Sequence, residues 1–275
     1  MLVPLYETVY DRLEIGSRTR LLGLGCGTGL ALLLAAARGA AVTGCDTDTG
    51  RLAVARERLA LRGGPGHAPR ARLLAGRAPD RAAPPASPGG GRDASGPSAG
   101  DGEYDVITAF DPAAPADGLA PALASAVRSA PPNSAVVLAG WGPPERCATA
   151  RVLEVATRLA EPRGAAAPAP RLSGRDDLED LARRAGLRPD GSGRVSCPFG
   201  YPDLASAVRG LLSTGLFDAA VAATDGHQVD KEIAEALHPY RRADGSVRME
   251  NVFRYLIARP VRIPARRSLA AAAAA

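Results

Sequence analysis

Residues 20–30 read Arg20-Leu21-Leu22-Gly23-Leu24-Gly25-Cys26-Gly27-Thr28-Gly29-Leu30. A short apolar run feeds a glycine-dense turn, and an alanine- and leucine-rich helical stretch follows at once, from Leu30 to Arg38. Strand, glycine turn and helix in that order bring a backbone close to a nucleotide. Without a Cβ, glycine lets the chain turn sharply and lets a ligand touch main-chain atoms. A second strand-like run, Ala41-Val42-Thr43-Gly44-Cys45, ends in Asp46. An acid at that spacing suits a ribose diol, which it holds by charge-assisted hydrogen bonds.

The glycine spacing discriminates between nucleotides. The dinucleotide fingerprint G-x-G-x-x-G would need a third glycine at position 30 or 28, where the chain has Leu30 and Thr28. The pattern is G-x-G-x-G over Gly25, Gly27 and Gly29, and no Gly-Lys-Ser/Thr follows, so a phosphate-binding Walker loop is excluded. A nucleotide-dependent oxidoreductase is disfavoured on the same ground.

Outward from this unit, strands and helices alternate. Leu5, Val9 and Leu13 at helical spacing predict a helix within 1–19, and Arg51 to Leu61 reads as an amphipathic helix. Ala71–Ala75, Tyr104–Phe110 and Ser134–Gly140 read as strands, and a helix covers about 117–129. Such alternation implies a parallel sheet with helices on both faces, an α/β Rossmann-like doubly wound fold. Ligands in these sheets sit at the carboxyl ends of the strands, which puts Gly25, Asp46, Phe110 and Trp141 on one rim.

Residues 82–102 are rich in Pro, Gly, Ser and Ala and cannot bury enough apolar surface to offset ordering, so a mobile insertion is expected. Helices are expected at about 145–160 and 176–185, with a Pro/Ala linker at 162–170 between them. Two or three more fall in 203–238, Asp203 capping the first, and Asp244-Gly245 marks a turn. Val252–Ala258 reads as a late strand. The expected organisation is a cofactor-binding core over 1–142, a helical lid with completing strands over 143–264, and a disordered tail over 265–275.

Composition bounds the function class. At 275 residues and 46% hydrophobic, the chain can bury a sizeable core, but aromatics are only 4%, so that core is mostly Leu, Val and Ala. No run approaches the roughly 18 apolar residues of a membrane span, and no signal peptide is evident, so a cytoplasmic protein is expected. Four scattered cysteines without a C-x-x-C pair, and three histidines, argue against a zinc site or a disulfide framework. Cys26 and Cys45 read as small apolar residues rather than nucleophiles. The net charge of +5 comes from arginines spread along the chain, with Lys231 the only lysine, which reads as a solvated surface rather than a nucleic-acid face.

Residues 20–48 resemble motif I and the second strand of class I S-adenosylmethionine-dependent methyltransferases. Tyr104-Asp105-Val106-Ile107 looks like their fourth strand, Trp141–Arg146 follows the fifth, and Leu237–Arg259 is similar to bacterial members of the methyltransferase type 11 group. The resemblance implies that Gly25, Cys26, Gly27 and Gly29 line the methionine and ribose end of S-adenosylmethionine. It gives the ribose hydroxyls to Asp46, with Thr47 beside it, and adds Ala78 and Phe110 to the cofactor-binding positions. Two departures matter. Gly23 stands where the family usually has an acid that helps hold the methionine ammonium, and Arg77 stands where an acid usually lies near the adenine, with Asp80 three residues on. Each lost contact costs about 1 kcal/mol, so the two together would weaken binding by roughly tenfold or somewhat more; the retained glycines and Asp46 favour the reading in which waters or backbone carbonyls replace both acids.

Methyl transfer from a sulfonium needs alignment more than a catalytic signature, and a base only where the acceptor must lose a proton. The Asn/Asp-Pro-Pro-Tyr motif of amino-group methyltransferases is absent, and Asp111-Pro112-Ala113-Ala114 occupies its place. The expected activity is methylation of a small molecule on oxygen or carbon. Trp141 and Tyr201 are substrate candidates, in an aromatic set with Phe110 and Phe217. His227 and His238 are the C-terminal imidazoles, each read first as a helix-end or surface residue. The alternative is a weak or inactive cofactor-binding scaffold, motivated by Gly23 and Arg77.

Overall fold

The computed structural model describes residues 2–60, 71–77, 104–110, 116–128, 130–160 and 174–261. The expected insertion at 82–102, the linker at 162–170 and the tail at 265–275 lie outside these residues, as do Ala78, Asp80 and Asp111–Ala114.

The chain opens with α1 (Val3–Arg12), whose Leu5 and Val9 are fully buried. It ends short of 19 because Glu14 turns left-handed at φ 52°. Then come β1 (Arg20–Leu24), α2 (Leu30–Ala37), β2 (Ala41–Asp46), α3 (Thr49–Ala60), β3 (Ala71–Ala75), β4 (Val106–Ala109), α4 (Ala116–Arg128) and β5 (Ala135–Trp141). The second half supplies α5 (Ala148–Ala160), α6 (Asp177–Arg184), β6 (Leu187–Ser196), β7 (Phe199–Tyr201), α7 (Leu204–Leu212), α8 (Asp218–Ala223), α9 (Gly226–Leu237), β8 (Val247–Met249) and β9 (Val252–Pro260).

Seven strands form one sheet in the order β3-β2-β1-β4-β5-β9-β6. β1 to β5 run parallel, and β9 is antiparallel to both of its neighbours. Both faces are covered, which explains the uninterrupted apolar strands. Leu21 and Val137 face one core, with α1, α2, α5 and α7 to α9, while Leu22, Ile107, Val136 and Leu138 face the other, with α4 and α6. Successive residues thus serve opposite cores, as the period of two requires.

The stretch 143–238, expected to be helical, also holds β6 and β7, and β8 follows at 247–249. β6 is an edge strand with a register shift between Pro189 and Gly191. Proline and glycine are tolerated at such an edge, where a bulge absorbs them, so apolar alternation was missing from its sequence. Opposite Gly193 lies Tyr255, whose ring fills the space a side chain would take.

The register fixes the site. Gly23 and Gly44 lie side by side on β1 and β2. A Cβ on Gly44 would strike Leu32 and Cys26, so the bare strand lets α2 settle onto the sheet with Leu32 beneath it. The strand order reverses between β1 and β4, the place at the carboxyl rim where ligands sit in sheets of this kind.

Candidate functional site

The turn after β1 carries three left-handed glycines, Gly25, Gly27 and Gly29, at φ 60°, 55° and 77°. Their reasons differ. A Cβ on Gly29 would come within 2.8 Å of the Ala55 Cβ, so this glycine lets the start of α2 touch α3. Around a Cβ on Gly27 nothing lies within 4 Å, so that residue fronts open space. The turn closes on itself through Gly29 N–H, which donates to the Cys26 carbonyl at 3.0 Å. From α3, Arg58 donates to the Thr28 hydroxyl at 2.7 Å and to its carbonyl at 3.1 Å.

Asp46 ends β2 and meets this turn. It is 7% exposed, yet its carboxylate is well held: Oδ2 accepts from Gly27 N–H at 2.8 Å and Oδ1 from Asp48 N–H at 2.9 Å. Each oxygen has two acceptor positions, so one on each remains beyond these bonds. The adjacent backbones are tied together, Cys26 N–H donating to the Cys45 carbonyl at 3.0 Å and Gly76 N–H to the Asp46 carbonyl at 2.8 Å. Thr47, next along, is exposed.

The two cysteines of the rim are poor nucleophiles. Burial, reinforced by the Asp46 charge, pushes the Cys26 thiol up to about 12. Burial likewise pushes Cys45 up to about 11, and its thiol donates to the Arg77 carbonyl at 3.3 Å. Both stay protonated thiols near neutrality.

Leu32 occupies the surroundings of Gly23. A Cβ at 23 would meet Leu32 Cδ2 at 3.0 Å and the Cys26 Cβ at 3.6 Å. The position that usually bears an acid is thus packed with hydrocarbon. Arg77, after β3, is exposed.

Phe110 follows Ala109, which pairs with Leu24, so it stands beside the glycine turn. It is buried under α1, with its ring 5.0 Å from Tyr6 and 6.1 Å from Tyr10. Tyr10 donates its hydroxyl to the Ala31 carbonyl of α2 at 2.9 Å and so ties α1 to α2. Of the substrate candidates, Trp141 is buried against Phe253 (4.5 Å) and Phe199 (6.2 Å), within the core beyond β5. Tyr201 is half-buried on β7, and burial raises its hydroxyl. Phe217 is fully buried. His227 and His238, in the first turn of α9 and just past its end, are both exposed. Asp46 and the glycine turn therefore converge with Phe110, whereas Trp141 belongs to a separate aromatic cluster.

Sequence reasoning missed Tyr6, Tyr10 and Arg58. Tyrosines four apart on a helix before β1 were a usable signal in a chain so poor in aromatics. Arg58 gave none, being one arginine among many. Among the described residues no group of three or more His, Cys, Asp or Glu could hold a metal, and no helix is long and apolar enough to cross a membrane.

Residues 22–77, from β1 to just past β3, match a family described as a methyltransferase domain. Solved structures share the whole architecture. A putative methyltransferase from Bacillus halodurans is 15% identical, with 93% of this chain and 99% of that one covered at a TM-score of 0.54. The YcgJ protein of Bacillus subtilis is 16% identical, with 93% and 98% covered at 0.55. A protein titled the [4+2]-cyclase SpnF is 17% identical, with 94% and 81% covered at 0.51. No curated protein matches the sequence.

Proposed function

We propose, from the premise that this chain is a class I S-adenosylmethionine-dependent methyltransferase, that its methyl acceptor is a small molecule and that the acceptor atom is oxygen or carbon. The observation that carries the cofactor end of this reading is the seating of Asp46. Two backbone donors hold the carboxylate in place, and the acceptor position left on each oxygen matches the two hydroxyls of a ribose. The space before Gly27 is the cradle a Cβ would fill. In this reading Gly25, Cys26, Gly27 and Gly29 line the methionine end, Thr47 lies beside the ribose, and Ala78 and Phe110 border the adenosine.

The bound cofactor supplies a methyl group already activated by the sulfonium. What this chain contributes is position. The glycine turn and Asp46 fix the nucleoside, and Tyr6 packs on Phe110 beside the turn. The segment 143–264 supplies the acceptor side, with β7 and β8 and helices α7 to α9 as its cover and Tyr201 as a substrate contact. The rim sulfhydryls stay protonated and do not compete for the methyl group. A second reading, binding without transfer, draws support from Leu32 packed at Gly23 and from Arg77. The likeness to the [4+2]-cyclase SpnF illustrates that this fold alone does not fix the reaction.

Calorimetric titration with S-adenosylhomocysteine tests the cofactor end. Asp46→Ala is expected to weaken binding by about 1–3 kcal/mol, roughly five- to 150-fold. Equal affinity in the mutant would remove Asp46 from the site. Methyl transfer from labelled cofactor across phenols, enols and active methylenes tests the acceptor end. Binding with no transfer to any of them would favour the second reading.

A further inference from the structure

We infer that Arg58 is a positioning residue for the cofactor and acts through Thr28. The inference deepens the cofactor reading above and rests on it. Arg58 lies in the last turn of α3, on the same side as Ala55 three residues earlier. Ala55 is the residue against which Gly29 packs, so α3 already touches one end of the turn. Arg58 takes hold one residue earlier. Its Nη1 donates to the Thr28 hydroxyl at 2.7 Å and to the Thr28 carbonyl at 3.1 Å, and among the described residues these are its hydrogen bonds. Among the described residues this half-buried guanidinium is spent on Thr28, a neutral residue of the turn, and on no carboxylate.

The placement gives it a purpose. Thr28 stands between Gly27 and Gly29, both at positive φ. Glycines make the turn possible but leave it many other conformations, and choosing among them is an entropic cost that ligand binding would otherwise meet. Fastening the one residue between them selects the conformation in which Gly27 N–H reaches Asp46. The double contact also turns the Thr28 carbonyl toward α3. The turn is thereby organised before the cofactor arrives.

The test uses the full-length chain and S-adenosylhomocysteine in calorimetry, with ligand-free thermal unfolding measured beside it. Arg58→Ala is expected to raise Kd about three- to tenfold. Thr28→Val, which keeps the shape but removes the hydroxyl, is expected to raise it by a smaller factor, while Thr28→Ser stays at the wild-type value. The double variant should bind no more weakly than Arg58→Ala, because that variant already removes the hydroxyl bond that Thr28→Val breaks. Arg58→Lys should fall between wild type and Arg58→Ala. If Arg58→Ala fails to fold, Thr28→Val with its Thr28→Ser rescue carries the test alone. Unchanged affinity in Arg58→Ala or in Thr28→Val, or strictly additive losses in the double variant, would overturn the inference while leaving the cofactor reading intact. Failure of the wild-type chain to bind would sink the cofactor reading itself.

Discussion

Gly27 and Gly29 both sit at left-handed φ but in opposite surroundings, and alanine at each should separate stability from binding. At Gly29 the new methyl would press on Ala55 as well as strain a φ of 77°. Unfolding free energy should drop by about 2–4 kcal/mol in urea titration, the sum of strain and overpacking. At Gly27 the methyl meets nothing within 4 Å, so only the left-handed φ of 55° costs, about 1–2 kcal/mol. That variant should fold and yet lose S-adenosylhomocysteine binding, because the methyl stands in the space assigned to the ligand. Tight binding by Gly27→Ala would show that the cradle lies elsewhere. The rim cysteines add a dependence on pH. In the folded chain Cys26 and Cys45 ionise near 12 and 11, whereas unfolded thiols ionise near 9. Above pH 9 the unfolded chain binds fewer protons than the folded one, so stability falls as pH rises, and it is flat with respect to these groups below 9. Burial raises Tyr201 as well, with the same sign. The midpoint of thermal unfolding should therefore drop between pH 9 and 11, and Cys26→Ala should lessen the drop.

At the scale of elements, one buried amide joins three pieces of chain. Asn251, fully buried between β8 and β9, accepts from Thr149 N–H at 3.0 Å in the first turn of α5 and donates to the Met249 carbonyl at 3.2 Å. Its own carbonyl accepts from Cys197 N–H at 2.8 Å, just before β7. Asn251→Ala leaves a buried N–H at the helix start without its partner and opens a small cavity. A loss of about 2–4 kcal/mol in unfolding free energy is expected, measured in urea. Asn251→Asp, which keeps the acceptor oxygen, should recover less than half of this, since it buries a charge or a proton beside the Met249 carbonyl. Nothing in the sequence marked Asn251, because a single asparagine after Glu250 reads as turn chemistry. The same limit governed the elements. Strands β1, β2, β4 and β5 were legible because both of their faces are buried, and α2, α3, α5 and α6 because one face is. The edge strand β6 was not, since solvent and a bulge let Pro189, Asp190 and Gly191 stand where a pattern would be. The paired strands β7 and β8, far apart in the chain, were too short to show a period.

Over the whole molecule, the sheet reverses its order between β1 and β4 and so brings the ends of β1, β2 and β4, with the candidate site residues, to one rim. Local sequence named the glycine turn and Asp46, which lie on successive strands. The order of the strands was not read from the sequence, because pairing between distant segments leaves no local period. The antiparallel β9, inserted between β5 and β6, carries the chain's C-terminal half into the same sheet. Ligand binding at the rim should therefore report on the stability of the entire sheet. S-adenosylhomocysteine at about 100 times its Kd should stabilise the folded chain by about 2.7 kcal/mol. For a domain of this size that corresponds to a rise of roughly 5–10 °C in Tm. Oxidised nicotinamide dinucleotide at the same concentration should give no rise, because its pyrophosphate expects glycine where the turn has Thr28 or Leu30. Asp46→Ala should cut the response to S-adenosylhomocysteine by about a third or more at the same ligand concentration. If the dinucleotide shifts Tm as far as S-adenosylhomocysteine does, the glycine spacing does not discriminate. The rim would then be a general adenosine site, and Asp46 rather than the turn would be its recognition element.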